Sequence, residues 1–186
     1  MSKNFLVKYK ENFIDRFIDS YDENFINTIV QRCRKVKKNN AKILVFGNGG
    51  SSAIASHFAT DMTKNAKITT QCFTDSSLIT CLSNDYGHIN WMKKSIEFYS
   101  RKNDIIIFIS SSGNSSNILN AAKYAKKKKI DFYAFTGFDK KNQLNSLTKN
   151  NYWVNSRAYN IVENIHQTAL LSVVDCIIGK SEYKDL

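Results

Sequence analysis

Residues 104–109, DIIIFI, run without a break into residues 110–116, SSSGNSS. A segment apolar on both of its alternating faces must be covered on both sides, which is the condition of a central strand in a parallel sheet. The serine, glycine and asparagine that follow cannot continue such a strand, and the periodicity predicts a helix over 117–129. The same unit recurs upstream: residues 41–47, AKILVFG, form a short apolar run ending in glycine, and a helical pattern over 51–64 follows. Residues 69–73 read as another strand, with a helix through Leu78, Ile79 and Leu82. Residues 131–135, DFYAF, and a segment near 152–155 supply the last strands, and residues 160–178 form a closing helix apolar around most of its circumference. Four or five strands separated by helices give an α/β fold, a doubly wound parallel sheet flanked by helices. Ligands of such sheets bind beyond the carboxyl ends of the strands.

Ahead of this pattern, Tyr9, Phe13, Phe17, Tyr21, Phe25, Ile29 and Cys33 recur every four residues, with Ile14, Ile18, Ile26 and Val30 beside them. The spacing predicts one long helix or two successive ones with a wide apolar face. A helix standing before the first strand is expected to serve as an oligomer contact. At 186 residues the chain is expected to form one domain, residues 1–186, with an N-terminal helical segment (1–38) and an α/β core (41–178).

The composition, 42% hydrophobic and 12% aromatic, is that of a globular protein, and no continuous apolar run approaches the roughly 20 residues that span a bilayer. The amino terminus carries charges on both sides of its few apolar residues and does not read as a secretion signal. The four cysteines, Cys33, Cys72, Cys81 and Cys176, form no CxxC pair and are expected to be buried free thiols in a reducing, cytoplasmic setting. A formal net charge of +11 raises nucleic acid as a partner. The basic residues, spread through the whole chain with no interleaved aromatic stripe, argue against it. The longest run, Lys126 to Lys129, falls at a predicted helix end, where cations complement the macrodipole.

Two strand-to-helix junctions carry the chemistry. The first is Gly47-Asn48-Gly49-Gly50-Ser51-Ser52 and the second Ser110-Ser111-Ser112-Gly113-Asn114-Ser115-Ser116. Each sets glycine where the backbone must turn or approach a ligand and surrounds it with hydroxyls and amides at a helix start, an arrangement suited to a phosphate ester. Either loop alone is equally well explained by the turn and cap preferences of Ser, Asn and Gly. Two at one sheet edge favour the phosphate. Neither matches GxxxxGK[ST] or GxGxxG, so no nucleotide cofactor is expected.

The segments FGNGGSSAIASHFATDM (46–62), TDSSLITCLSNDYG (74–87), ISSSGNSSNIL (109–119) and VENIHQ (162–167) together resemble the phosphoheptose isomerases, a family within the sugar isomerase (SIS) superfamily, in order and spacing over about residues 41–178. The resemblance implies a flavodoxin-like SIS fold and a homotetramer whose subunits share sites. It also implies interconversion of sedoheptulose 7-phosphate and its aldose, D-glycero-D-manno-heptose 7-phosphate, through an enediol. Sugar contacts then fall on Asn48, Gly49, Gly50, Ser51, Asn84 and Asp85, and phosphate contacts on Ser110, Ser111, Ser112 and Ser115.

The family's metal and acid–base positions correspond to His57, Asp61, Glu163 and Leu171, the last of which cannot ligate zinc or move a proton. What remains is one imidazole and two carboxylates, a group still able to hold zinc or another divalent ion with water. Asp61 is expected to act as the base and Glu163 as its partner in proton transfer. His166, on the helix face of Glu163, is expected to be a hydrogen-bonded structural residue, and His88 a surface one. The alternative is a catalytically silent SIS protein of the replication-initiator-associating type, binding a sugar phosphate or a protein partner. A membrane role is not expected.

Overall fold

The computed structural model describes residues 3–182. Residues 1 and 2 of the expected N-terminal segment, and 183–186, lie outside the described residues. Two helices open the chain, α1 (Lys3–Ser20) and α2 (Glu23–Lys38). They are separate because Asp22 ends one and caps the other: its carboxylate accepts the Phe25 amide at 3.0 Å. There follow β1 (Ile43–Gly47), α3 (Gly50–Lys64), β2 (Thr70–Cys72), α4 (Ser76–Tyr86), α5 (Trp91–Tyr99), β3 (Ile105–Ser110), α6 (Ser116–Lys127), β4 (Phe132–Thr136), a 3-10 turn (Asn145–Leu147), β5 (Asn151–Trp153) and α7 (Tyr159–Ile178).

The five strands pair in parallel in the order β2-β1-β3-β4-β5, so the chain crosses over between β1 and β3 and every strand ends at the same edge. Successive side chains of a strand point to opposite faces. Ile43, Val45, Ile105, Ile107, Ile109, Tyr133 and Phe135 meet α2, α3 and α7, whereas Leu44, Phe46, Ile106, Phe108, Phe132 and Ala134 meet α4, α5 and α6. Each such Ile, Leu or Phe contributes about 1.5–3 kcal/mol of burial, so the two layers hold the central strands from both sides, as residues 104–109 require.

The apolar face of the N-terminal segment divides. Ile26, Ile29, Val30, Cys33 and Val36 of α2 are buried within the chain's own core, so the apolar face of α2 is already covered. Of the described residues of this segment, those of α1 leave large apolar groups exposed: Phe5, Leu6, Val7, Tyr9, Ile14 and Ile18. The thiol expectation holds for Cys33 alone, whose burial pushes its pKa up to about 12; Cys72 is half-buried, and Cys81 and Cys176 are exposed. Cys81 and Cys176 lie on outward helix faces that the apolar context did not distinguish from inward ones, and Cys72 ends the edge strand β2.

The 20-residue α7 is long and apolar enough by composition to cross a membrane, yet Ile161, Val162, Ile165, Ala169, Leu170, Val173 and Val174 line one face buried in the core. Nor are the basic residues spread evenly: the fold gathers thirteen of them at the edge where the strands begin.

Candidate functional site

Register sets the two loops side by side. Gly47, at the end of β1, is paired with Ile109 of β3, so residues 48–51 and 110–115 leave the sheet next to each other. They enclose a cavity of about 290 Å³ with Tyr159 and Glu163 from the first turns of α7. Its lining is Asn48, Gly49, Gly50, Ser51, Ile109, Ser110, Ser111, Ser112, Ser115, Tyr159 and Glu163, with no lysine, arginine or histidine.

The loops are locked to each other by a reciprocal amide pair. The Asn48 and Asn117 side chains exchange hydrogen bonds at 3.0 Å in both directions, and the same Asn117 oxygen accepts the Ile118 amide. The serine loop is braced from below where the Gly137 amide donates to the Ser111 carbonyl at 2.8 Å. Gly113 sits at φ +63°, in the left-handed region, and a Cβ there would collide with the Asn142 amide that packs beneath it. Gly50 makes room of another kind: a Cβ there would run into the Glu163 carboxylate, which keeps its present place because position 50 has no side chain.

Three helices open onto this cavity, and the N-cap residues of all three, Gly49, Ser115 and Ala158, make no side-chain cap bond. Amide groups and the positive ends of the helix dipoles are therefore available to an anion. The Ser111 hydroxyl is buried without a partner in the described structure, a condition that costs about 1–3 kcal/mol unless a ligand satisfies it. Glu163 is the one acid of the lining; partial burial raises its pKa above the ordinary carboxylate range.

Most of the expected contacts meet in this cavity, namely Asn48, Gly49, Gly50, Ser51, Ser110, Ser111, Ser112, Ser115 and Glu163. Asn84 and Asp85 do not; they are exposed on α4, outside the lining. Asp61 also stands apart. It lies eleven residues beyond Gly50, about 16 Å along the helix at 1.5 Å per residue. There it faces His57, with Nε2 to Oδ2 at 3.3 Å, while Gln167 approaches the other imidazole nitrogen at 3.3 Å.

Among the described residues no group of three His, Cys, Asp or Glu side chains assembles, and Leu171 is half-buried on α7. Within one chain the expected set His57, Asp61 and Glu163 does not fit a metal centre. His166 is fully buried, its Nε2 3.0 Å from the Thr136 carbonyl, and burial pulls its pKa down to about 4. His88 is exposed. Tyr159 and Asn117 were not expected; the first is an exposed aromatic that opens α7, the second an ordinary helix-start residue whose partner is 69 positions away.

An open parallel sheet with a crossover beside a cation-free, amide-rich cradle is the arrangement of the SIS class, and a family model described as the SIS domain matches residues 8–137. The phosphoheptose isomerase of Campylobacter concisus is 34% identical over 146 residues, covering 74% of both chains, and that of Neisseria meningitidis 35% identical over 148 residues, covering 75% of both. The solved phosphoheptose isomerase of Neisseria gonorrhoeae superposes with a TM-score of 0.86 at 26% identity, covering 94% of this chain and 98% of that one. The chain belongs to the SIS domain family and, within it, to the phosphoheptose isomerases.

Proposed function

We propose that the chain is an aldose–ketose isomerase acting on sedoheptulose 7-phosphate, a cytoplasmic enzyme whose cavity at the carboxyl edge holds the sugar in one chain-wide orientation. The phosphate lies among Ser110, Ser111, Ser112 and Ser115 and the open amino end of α6, where hydroxyls and amides stabilise a dianion without a cation. The carbon chain then extends past Gly49 and Gly50 toward Glu163. The observation that carries the reading is the placement of the Glu163 carboxyl against Gly50, in the same cavity as the serine loop.

Glu163 takes a proton from C1 of the ketose, giving an enediol, and returns one to C2; the hydroxyl proton of O1 passes to O2, leaving an aldehyde at C1. A carboxyl with a raised pKa is suited to both halves, because it is a stronger base toward C1 than an ordinary carboxylate and, once protonated, still acidic enough to return the proton to C2. This gives Glu163 the base role expected of Asp61. No step is routed through a metal. The exposed apolar face of α1 supports self-association, and four unpaired cysteines agree with a reducing compartment.

The test follows sedoheptulose 7-phosphate in deuterated water by NMR. Deuterium entry at C1 and a new aldose signal are expected, both lost in Glu163→Gln. Chelation of divalent ions is expected to leave turnover intact; loss restored by zinc would return His57, Asp61 and Glu163 to a metal set.

The separation of Asp61 from the cavity and Leu171 at the fourth family position favour the second reading, a silent binder. Saturable sugar-phosphate binding with no exchange on any heptose, hexose or pentose phosphate would select it.

A further inference from the structure

The amino ends of the five strands form the edge opposite the cavity. Leading into them are residues 35–42, 61–69, 96–104, 124–131 and 148–150, the last helical turn before each strand with its connection. These segments hold thirteen of the 27 Lys and Arg residues but four of the 16 Asp and Glu. Thirteen cations against four carboxylates leave +9 of the chain's +11, so the remaining 149 residues are nearly neutral. The end of α7, joined to α2 where Arg34 donates to the Cys176 carbonyl, adds one charge of each sign.

All four acids are already occupied: Asp61 by His57, Glu97 by Lys94, Asp104 by Lys42 and Asp131 by Arg32. Of the thirteen cations only Lys42 is ion-paired among the described residues, and the other twelve are exposed.

A helix end attracts a cation or two through its dipole, which accounts for part of the cluster. Backbone geometry points further. The four helix-to-strand turns each contain a left-handed residue, Asn40, Lys67, Asn103 and Lys129, at φ between 50° and 70°. None is glycine, although for a lysine this conformation costs roughly 1–2 kcal/mol. Lysine is kept at two positions where an uncharged residue would turn the chain more easily.

We propose that this edge is a binding surface for the phosphodiester backbone of duplex nucleic acid, read without regard to sequence. Five strands at about 4.8 Å spacing make the edge about 20 Å wide, enough to follow several phosphates at one charge per roughly 1.7 Å of duplex. Phe98 is the one large exposed apolar side chain in these segments; the others, such as Phe5, Leu6, Ile18 and Tyr159, lie elsewhere. The surface therefore has no apolar core of the kind a protein partner buries and no row of wedges for a bilayer. Its polar, lysine-rich character is that of a nucleic-acid interface. One exposed aromatic, Phe98, is not the row that stacks unpaired bases, which favours a duplex over a single strand.

The test is fluorescence anisotropy of a 30-base-pair random DNA duplex with the full chain, as a function of NaCl. If about five phosphates are engaged, log affinity is expected to fall against log salt with a slope near −4.5. The variant Lys126→Gln/Lys127→Gln/Lys128→Gln/Lys129→Gln should lose at least tenfold in affinity and flatten that slope by about three. Lys8→Gln/Lys10→Gln/Lys140→Gln/Lys141→Gln, outside the five segments and with the same change in net charge, should bind almost as the parent does. Equal loss in both variants means that net charge alone acts and overturns the proposal, as does absence of binding at 50 mM salt. Binding to vesicles with 30% anionic phospholipid but not to the duplex overturns it in favour of a membrane. Sugar-phosphate binding by all three proteins reports that the fold is intact, and the outcome is independent of catalysis.

Discussion

At the edge where the strands end, the helices that open onto the cavity, α3, α6 and α7, start without side-chain caps, and the lining holds no basic residue. At the edge where the strands begin, the helix ends are crowded with lysine. Away from the cavity, α2 and α4 are capped by Asp22 and Asp75, which shows that this chain can supply acidic caps. At the cavity such a cap would occupy the amides and repel a phosphate. The two edges thus use the same peptide dipoles in opposite ways, left open for an anion at one end and covered by cations at the other.

The contrast is tested most severely at Glu163. Glu163→Gln should lower turnover by about 10²–10⁴-fold, the usual contribution of a positioned acid or base, with sugar-phosphate affinity retained. Asp61→Asn, outside the cavity, should cost less than tenfold; steady-state kinetics of the pair decides which carboxyl is the base. A comparable loss in both would bring Asp61 back into the chemistry. Ser112→Asp puts a carboxylate where the open edge expects a phosphate, and repulsion of about 4 kcal/mol at 4 Å and an effective dielectric near 20 predicts roughly 10³-fold weaker binding in a calorimetric titration.

Protons probe the same edge. Glu163, with its pKa raised by burial, acts as a base only when ionised, so turnover should fall on acidification at a higher pH than an ordinary carboxylate would impose. His166 works on stability with its own sign. Its folded pKa, about 4, lies below the ordinary 6.5, so its contribution is complete above pH 6.5 and is lost as pH falls toward 4. The span corresponds to about 3 kcal/mol at most. Thermal unfolding of His166→Asn should therefore show a shallower pH dependence over that window, whatever its absolute stability. The smallest effect belongs to the other edge: Lys129→Gly, relieving a left-handed lysine at φ 56°, should raise stability by less than about 1 kcal/mol and leave turnover unchanged.

The central strands were legible because their burial on both faces leaves a continuous apolar run, and the loops because only small polar residues can follow such a strand into a cradle. Helix α5 was not. Its segment WMKKSIEFY sits behind a polar turn and carries its buried Trp91, Met92 and Ile96 among lysines and a glutamate. Glu163 was found through resemblance. That Asp61 stands outside the cavity was not legible, because a spacing of four says that two residues share a helix face and nothing of how far along the helix the cavity lies. Asn117 and the basic edge are products of topology: one depends on a contact across 69 residues, the other on five segments that meet only once the strands are parallel.

The contact between Gly50 and Glu163 ties two positions on different helices into one unit of change. While the backbones of α3 and α7 keep this approach, a larger residue at 50 must turn the carboxylate at 163 out of its present place. Glycine at 50 is therefore a constraint on where the carboxylate points, one that a stability measurement does not register. In a double-mutant cycle, Gly50→Ala should lower turnover of the parent with little change in thermal stability, and add almost nothing in a Glu163→Ala background.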